Sequence, residues 1–242
     1  MRVRPALAAV LAAAAAAALL AVPAHAASSS ATTAVPGTAP LAAAGQHRAV
    51  GEQVTTTLRE AIDALPVAEE SREGYERTKF RHWIDADKNG CSTRAEVLVA
   101  EAASAPFVGA KCSLSGGVWV SPYDDMVLQD AKALDVDHMV PLAEAWDSGA
   151  SAWSAAERQA YANDLDEPRA LVAVSAKSNR SKADKDVAEW LPPAADYRCT
   201  YLTDWTAVKT RWGLSVDQVE ADALRRLAAA CPDEQLTVTL AR

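Results

Sequence analysis

The sequence predicts a single α+β domain over residues 46–242, mostly helical and stapled by disulfides. Three observations favour this fold class. Apolar residues recur at three- and four-residue steps in some segments, as in amphipathic helices, and form short apolar or alternating runs in others, as in strands. The segment has the length of one domain, since domains commonly run to roughly 100–200 residues. It also contains four cysteines, an even number that allows complete pairing.

The first 26 residues have the three parts of a secretory signal in order. Arg2 and Arg4 supply positive charge, a long Ala/Leu/Val run follows, and small residues precede an expected cleavage after Ala26. Residues 27–45 lack charged and aromatic side chains and are rich in Ala, Ser, Thr and Pro, which predicts a flexible leader. We therefore expect a secreted, extracellular protein whose mature form is monomeric and free of the membrane.

The cysteines are Cys91, Cys112, Cys199 and Cys231, and in an exported chain they predict two disulfides. Three pairings are open from the sequence alone. We favour Cys91–Cys112 and Cys199–Cys231, because each pair then brackets one compact stretch of sequence and neither bridge crosses the central motif described below. A zinc site is disfavoured because the spacing contains no Cys-x-x-Cys.

Local patterns predict the elements that precede the central motif. Residues 51–65 carry apolar side chains at helical spacing and end before Pro66, which predicts an amphipathic helix. Residues 93–103 predict a second helix, and two short apolar runs at 116–121 and 126–129 predict a strand hairpin.

The central segment, residues 134–190, has the order strand, long connection, strand, helix. The first strand ends near Pro141, the second covers 171–174, and Ser178 or Asn179 is placed to open a helix that reaches about Trp190. The other expected helices are 143–147 and 154–163 in the connection, and 197–212 and 215–230 after the motif.

The adjacent pair Asp137 and His138 lies at the end of the first central strand. Hydrolysis of a phosphodiester needs an activated water and a cation that offsets developing charge, and a neutral histidine beside a carboxylate supplies a base and a metal ligand. Successive side chains of a strand point to opposite faces, so both can serve one site only where the strand ends or bends. Alone, the pair is equally compatible with a structural histidine near the surface.

Further blocks of sequence strengthen the interpretation of this pair. They are Asp137-His138-x-Val140-Pro141-Leu142, Tyr161-Ala-Asn-Asp164, Leu171-Val-Ala-Val174 and Asn179-Arg-Ser-Lys182-Ala-Asp184-Lys-Asp-x-Ala-Glu-Trp190-x-Pro192. In this order they resemble the HNH/ββα-metal endonucleases, and in particular secreted actinobacterial members related to the C-terminal domain of GmrSD restriction endonucleases. The resemblance implies a ββα-metal (HNH) unit embedded in the domain, with its core motif at 134–190.

The resemblance also implies roles for individual residues. His138 corresponds to the general base, Asp137 to a ligand of the divalent cation, and Asn179 to the second ligand. An amide oxygen suits Mg²⁺ or Mn²⁺, with Ca²⁺ also possible, better than zinc. The middle asparagine of the motif is replaced by Ala170, so we take Asn163 as the residue that orients His138 or braces the loop. Asn163 as a plain helix-end residue, and Asn179 as a plain N-cap, stay open.

Substrate contacts are expected from Arg180 and Lys182, one turn or less from Asn179, and from Arg94 by similarity to the same secreted branch. The net charge of −8 opposes a nucleic-acid-binding function, so a basic footprint must be local. Residues 177–185 offer such a patch. We therefore expect a metal-dependent endonuclease that cleaves DNA, and possibly RNA, with low sequence specificity.

The segment Asp85-x-Asp87-x-Asn89-Gly90-x5-Glu96 satisfies the simple EF-hand pattern. Against it, Ser92 occupies a position normally given to a branched apolar residue, and no second EF loop accompanies it. We favour an ordinary Asp/Asn/Gly turn over calcium binding at this segment. The alternative function is accordingly a non-enzymatic, disulfide-stapled secreted module that binds calcium at 85–96.

Overall fold

Short strands and helices alternate along residues 49–242, the part of the chain that this computed structural model describes. The expected signal (1–26) and leader (27–45) lie outside the described residues. The elements are β1 (Gln53–Thr57), α1 (Leu58–Asp63), α2 (Thr93–Ala100), β2 (Phe107–Val108), β3 (Leu114–Ser115), β4 (Trp119–Val120), β5 (Val127–Leu128), β6 (Leu134–His138), α3 (Leu142–Asp147), α4 (Ala155–Tyr161), β7 (Leu171–Ser175), α5 (Ala176–Lys182), α6 (Arg198–Trp212), α7 (Gln218–Ala228) and β8 (Gln235–Thr239).

The strands of the described region pair into four separate two-stranded antiparallel sheets. The pairs are β1 with β8, β2 with β3, β4 with β5, and β6 with β7. Helices and loops pack around them in one compact unit, which makes the protein a mixed α/β single domain. No helix within residues 49–242 has the length and apolar character needed to cross a bilayer.

The start of the domain corrects the expected helix at 51–65. Residues Gln53–Thr57 form β1, which pairs with the C-terminal strand β8, and the helix α1 covers only Leu58–Asp63. Local residue preferences allow the strand, and pairing with β8 selects it. Thr55, Thr56 and Thr57 are β-branched and favour a strand, and Thr57 then caps α1 through a capping box with Glu60. Sequence periodicity alone did not show the partner strand, which lies at the opposite end of the chain.

Both disulfides join the cysteines that the sequence favoured. Cys91 is bonded to Cys112, and Cys199 to Cys231. The second bridge links the start of α6 to the end of α7, so the two C-terminal helices form the expected antiparallel hairpin. Gly213 ends α6 in the left-handed conformation that glycine adopts without a Cβ clash. Each bridge can stabilise the fold by roughly 3 kcal/mol.

The central segment has the expected order of strand, connection, strand and helix. In the β6–β7 pair, Val136 lies opposite Ala173 and His138 opposite Leu171. The following helix differs from the expected one. It begins directly after β7 because the Ser175 side chain caps it by accepting the Ser178 N–H, and it ends at Lys182, well before Trp190.

The outer edge of β7 is covered by side chains in place of a third strand. A carboxylate oxygen of Glu101 accepts the Ala173 N–H at 2.8 Å, and the Ser121 hydroxyl oxygen accepts the Ser175 N–H at 3.0 Å. An open strand edge invites pairing with another chain, so these bonds protect it. They also hold the end of β7 where α5 begins.

A buried carboxyl on α6 makes stability depend on pH. Asp204 is 7% exposed, and burial raises its pKa to about 6, although the Tyr197 hydroxyl, which donates to it, opposes that shift. A raised folded-state pKa means that the protonated carboxyl stabilises the fold. This contribution is present at low pH and is lost as the pH rises through the folded pKa.

Asp204→Asn should therefore become more stable relative to the wild type as the pH rises from about 4 to about 7, by roughly 1–3 kcal/mol. Urea unfolding at several pH values measures the difference. Asp196→Asn, which changes an exposed carboxyl just before α6, is the matched control and should show no such trend. If the stability difference between Asp204→Asn and the wild type does not change with pH, the raised pKa of Asp204 is contradicted.

Candidate active site

An open cavity of about 340 Å³ lies where β6 ends and α5 passes it. It brings together three residues that the sequence selected for chemistry, Asp137, His138 and Asn179. Asp137 and His138 both line the cavity because β6 ends at His138, so the alternation of side chains is broken at that point. The full lining is Arg77, Val136, Asp137, His138, Pro141, Leu142, Asn179, Arg180, Ala183 and Asp184.

Asp137 is a buried carboxylate with two donors on one oxygen. The Tyr123 hydroxyl donates to Oδ2 at 2.7 Å, and the Lys182 ammonium donates to the same atom at 2.5 Å. Burial raises the pKa of the Asp137 carboxyl, and the charge of Lys182 opposes that shift. Within residues 49–242, both hydrogen bonds to this carboxylate end on Oδ2, which leaves Oδ1 for a ligand in the cavity.

Lys182, which the sequence assigned to substrate contact, is fully buried. Its ammonium also donates to the backbone carbonyl oxygens of His138 and Met139, each at 2.9 Å. Three acceptors thus match the three protons of the ammonium, which stabilises the charged form against a burial that lowers its pKa. Lys182 is the counter-charge of Asp137 and is not exposed to a substrate.

His138 is buried, and its Nε2 lies 3.0 Å from the carbonyl oxygen of Ala162. A carbonyl oxygen only accepts, so this contact places a proton on Nε2. Burial lowers the pKa of the imidazole to about 3, and the charge of Arg77 acts in the same direction. The neutral ring therefore carries its free lone pair on Nδ1, which is the atom able to take a proton.

Asn179 lies inside α5, whose N-cap is Ser175, so the amide of Asn179 is not used as a cap. Its Nδ2 donates to Asp135 Oδ2 at 3.1 Å. This bond orients the amide and leaves its oxygen as the atom available to a cation. Asp135 precedes Asp137 by two residues in β6, so the two side chains lie on the same face of the strand. The spacing in the sequence was enough to indicate this.

Asn163 lies outside the lining of the cavity, with both ends of its amide occupied. Oδ1 accepts from the Ile84 N–H at 3.0 Å and from the Thr93 hydroxyl at 2.9 Å. Nδ2 donates to the carbonyl oxygens of Arg81 and Gln159, at 2.8 and 2.7 Å. Of the two roles expected for Asn163, these contacts fit bracing of a loop, and the backbone carbonyl of the preceding residue is what contacts His138.

The three arginines near the motif differ in position. Arg94 donates to the carbonyl oxygens of Ala131 and Leu134, at 3.2 and 2.8 Å, and holds the chain that enters β6. Arg180 lines the cavity with a side chain that is 77% exposed, as a substrate contact requires. Arg77, which the sequence did not single out, is exposed and lines the same cavity.

Two residues of the site gave no usable signal in the sequence. Arg77 belongs to a short 3₁₀ turn, Arg77–Lys79, about 60 positions before the motif, and Tyr123 lies in a turn between β4 and β5. Neither has a periodic neighbour that points to Asp137 or His138. Only the tertiary fold brings Arg77 to the cavity and Tyr123 to Asp137.

In the EF-like loop at 85–96, side-chain carboxylates accept hydrogen bonds from the backbone N–H groups of the same loop. Asp85 Oδ2 accepts the Gly90 N–H at 3.0 Å, and Asp87 Oδ1 accepts the Asn89 N–H at 3.1 Å. Asn89 Nδ2 donates in turn to Glu96 at 3.1 Å. The Asp87–Asn89 bond is that of an Asx turn, as is the bond from the Cys91 N–H to Asn89 Oδ1 at 2.7 Å, and they fit the simple turn that the sequence kept as an alternative to calcium binding.

Comparison with known proteins relates the chain to a nuclease family. Residues 110–227 match the family described as GmrSD restriction endonucleases, C-terminal domain. A protein of Arthroderma benhamiae, described as an uncharacterized secreted protein, is 38% identical over 177 residues, which cover 73% of this chain and 85% of the relative. No solved structure matches the chain.

Lys182→Met should destabilise the fold by about 3–5 kcal/mol, because it leaves the Asp137 carboxylate buried without its counter-charge. Urea unfolding measures this loss, and Asp137→Asn in the same chain should recover part of it. Lys185→Met, the same change at an exposed lysine three residues on, should stay within about 0.5 kcal/mol of the wild type. Unchanged stability of Lys182→Met, together with weaker substrate binding, would instead support a substrate contact.

Proposed function

Because the chain belongs to the family of the GmrSD restriction endonuclease C-terminal domain, we propose that it is a secreted endonuclease of the HNH type. Its substrate is nucleic acid, principally DNA, which it hydrolyses with one divalent cation and low sequence specificity. The two disulfides and the secreted fungal relative support action outside the cell.

One observation carries the proposal. A single cavity is lined by Asp137, His138 and Asn179, and the tautomer fixed by Ala162 leaves Nδ1 of His138 as a base. These residues come from the end of one strand and from the helix that follows its partner strand. A ββα-metal unit requires the same order of elements.

The donor atoms in the cavity fit a hard divalent cation. Oδ1 of Asp137 and the amide oxygen of Asn179 are the ligands that Mg²⁺, Mn²⁺ or Ca²⁺ prefers, and no thiolate lines the cavity to favour zinc. Asp135, which accepts from Asn179, adds negative charge beside these ligands. The same carboxylate lies 3.8 Å from the Arg180 guanidinium. Mg²⁺ or Mn²⁺ is the proposed cofactor.

His138 is the proposed general base. Nδ1 takes a proton from a water molecule, while the Ala162 carbonyl holds the Nε2 proton and stabilises the imidazolium that forms. The water oxygen bonds to phosphorus in line, the bond from phosphorus to the 3′ oxygen breaks, and that oxygen takes a proton from solvent. A cation on Asp137 and Asn179 would supply positive charge beside the phosphorus and the departing oxygen. The products carry 5′-phosphate and 3′-hydroxyl ends.

Arg77 and Arg180 are the proposed phosphate contacts. Both line the cavity with exposed guanidinium groups, which bind phosphate oxygens without reading base sequence. They supply a local basic footprint in a chain of net charge −8. A footprint this small supports weak, salt-sensitive binding and low sequence specificity.

His138→Ala should lower the rate of plasmid nicking by about 100-fold or more, because a general base commonly contributes at least that much. The assay is conversion of supercoiled to nicked plasmid, with circular dichroism as the check that the variant is folded. A side-by-side digest of single- and double-stranded DNA and RNA by the wild type defines the substrate class. Full activity of a folded His138→Ala would contradict the proposal.

Activity should require added Mg²⁺ or Mn²⁺, stop with EDTA and return with excess metal. Asn179→Ala should raise the Mg²⁺ concentration needed for half-maximal nicking by about tenfold or more, the scale seen when groups that support metal ligands are removed. Asn89→Ala, which removes an amide from the EF-like loop, is the matched control and should leave this concentration unchanged. Stabilisation by calcium without any cleavage would favour the non-enzymatic calcium-binding module instead.

A further inference from the structure

The indole of Trp83 stacks on the imidazole of His138. The ring centroids lie 5.1 Å apart and the planes meet at 26°. Trp83 is only partly buried, and it reaches the ring from a loop far from the motif in sequence. A second aromatic ring, that of Tyr161, lies nearly parallel to the imidazole at 6.4 Å and 15°.

The backbone of Trp83 is held in a conformation that bulky residues avoid. Its φ of +59° lies in the left-handed region, at a cost of roughly 1–3 kcal/mol for a side chain with a Cβ. Such a conformation persists only where the surroundings hold it. Here the Asn163 amide binds the loop on both sides of Trp83, through the Arg81 carbonyl and the Ile84 N–H. The carbonyl of Ile84 in turn accepts both the N–H and the hydroxyl of Thr93.

The same turn of chain therefore restrains His138 in two ways. Ala162 at the end of α4 holds the edge of the ring through Nε2, and the neighbouring Asn163 holds the loop whose indole covers a face of the ring. One hydrogen bond fixes the position of a single nitrogen and lets the ring plane swing about it. A stacked indole restricts that swing.

We infer that Trp83 is a positioning residue that keeps the imidazole of His138 in the single orientation with Nε2 on Ala162 and Nδ1 free for catalysis. This inference rests on the proposed function for its catalytic consequence. The orientation itself is a property of the folded protein and can be measured without substrate or metal. Because the Asn163 amide holds the loop in this unfavourable conformation, the loop presents the indole to the ring.

A general base acts only when its lone pair is directed at the water, and small misplacements can lower rates by about 100-fold. Trp83→Leu removes the flat face but keeps an apolar side chain. It should lower kcat by about 10- to 100-fold with KM little changed, since Trp83 is not among the residues that line the cavity. Trp83→Phe restores an aromatic face and should recover most of kcat.

A packing control separates positioning from general loss of aromatic contacts. Trp153 packs against Tyr161 with centroids 5.7 Å apart, but it has no ring contact with His138 among the described aromatic pairs. Trp153→Leu should lower the unfolding midpoint and leave kcat, measured well below that midpoint, near the wild-type value.

The deciding measurement is NMR of the His138 ring in the metal-free protein, assigned by the signals that His138→Ala removes. In the wild type, stacking on the indole should shift the ring protons upfield, and the two ¹⁵N shifts should report a proton on Nε2. Trp83→Leu should move these signals downfield and average the nitrogen shifts, whereas Trp153→Leu should leave them in place.

Two results would overturn the inference. Ring signals of His138 that do not change in folded Trp83→Leu would show that the indole does not set the orientation. Equal losses of kcat in Trp83→Leu and Trp153→Leu would show a role in packing only. Failure of the proposed function gives a different pattern of results. Full activity of a folded His138→Ala would contradict the role of His138 as a base. The effect of Trp83→Leu on the His138 ring signals would be the same in either case.

Discussion

The buried ion pair between Lys182 and Asp137 is the contact on which the arrangement of the site depends. Lys182 is the last residue of α5, and its ammonium bonds the Asp137 carboxylate and two backbone carbonyls just beyond it at the end of β6. Burying either charge alone costs several kcal/mol, so each requires the other. Because the pair ties the end of the helix to the end of the strand, it fixes Asn179 on the same side of α5 as the cavity.

The orientation of His138 depends on a second set of contacts, which come from the C-terminal helical hairpin. Arg211 of α6 donates to both oxygens of Asp164, at 2.7 and 2.9 Å, and the Trp212 indole donates to the same carboxylate. Asp164 follows Asn163 directly, so α6 anchors the turn that presents the Ala162 carbonyl and braces the Trp83 loop. The disulfide between Cys199 and Cys231 holds the hairpin and therefore supports the site from a distance.

Much of the secondary structure followed from short-range patterns. The strands β6 and β7, the helices α2 and α6, and both disulfide pairings agree with expectation, because apolar periodicity and compact cysteine spacing are local properties. Two errors have separate causes. The segment that became β1 has helical periodicity as well as β-branched residues, and only its partner at the C-terminus decides between them. The start of α5 was misjudged because Ser175, at the end of a strand, also caps the helix.

The sequence by itself determined which chemical groups the candidate site contains: an Asp-His pair at a strand end and an asparagine on the following helix. It also determined an even set of cysteines. Tertiary structure decided how each side chain is used. In the sequence, Lys182 and Asn163 are both polar residues near the motif. In the structure, Lys182 is buried as the counter-charge of Asp137, and Asn163 braces a loop. Arg77, Tyr123 and Trp83 come from separate turns. The sequence did not reveal these uses because burial and hydrogen-bond partners depend on residues distant in the chain, whereas residue type and spacing do not.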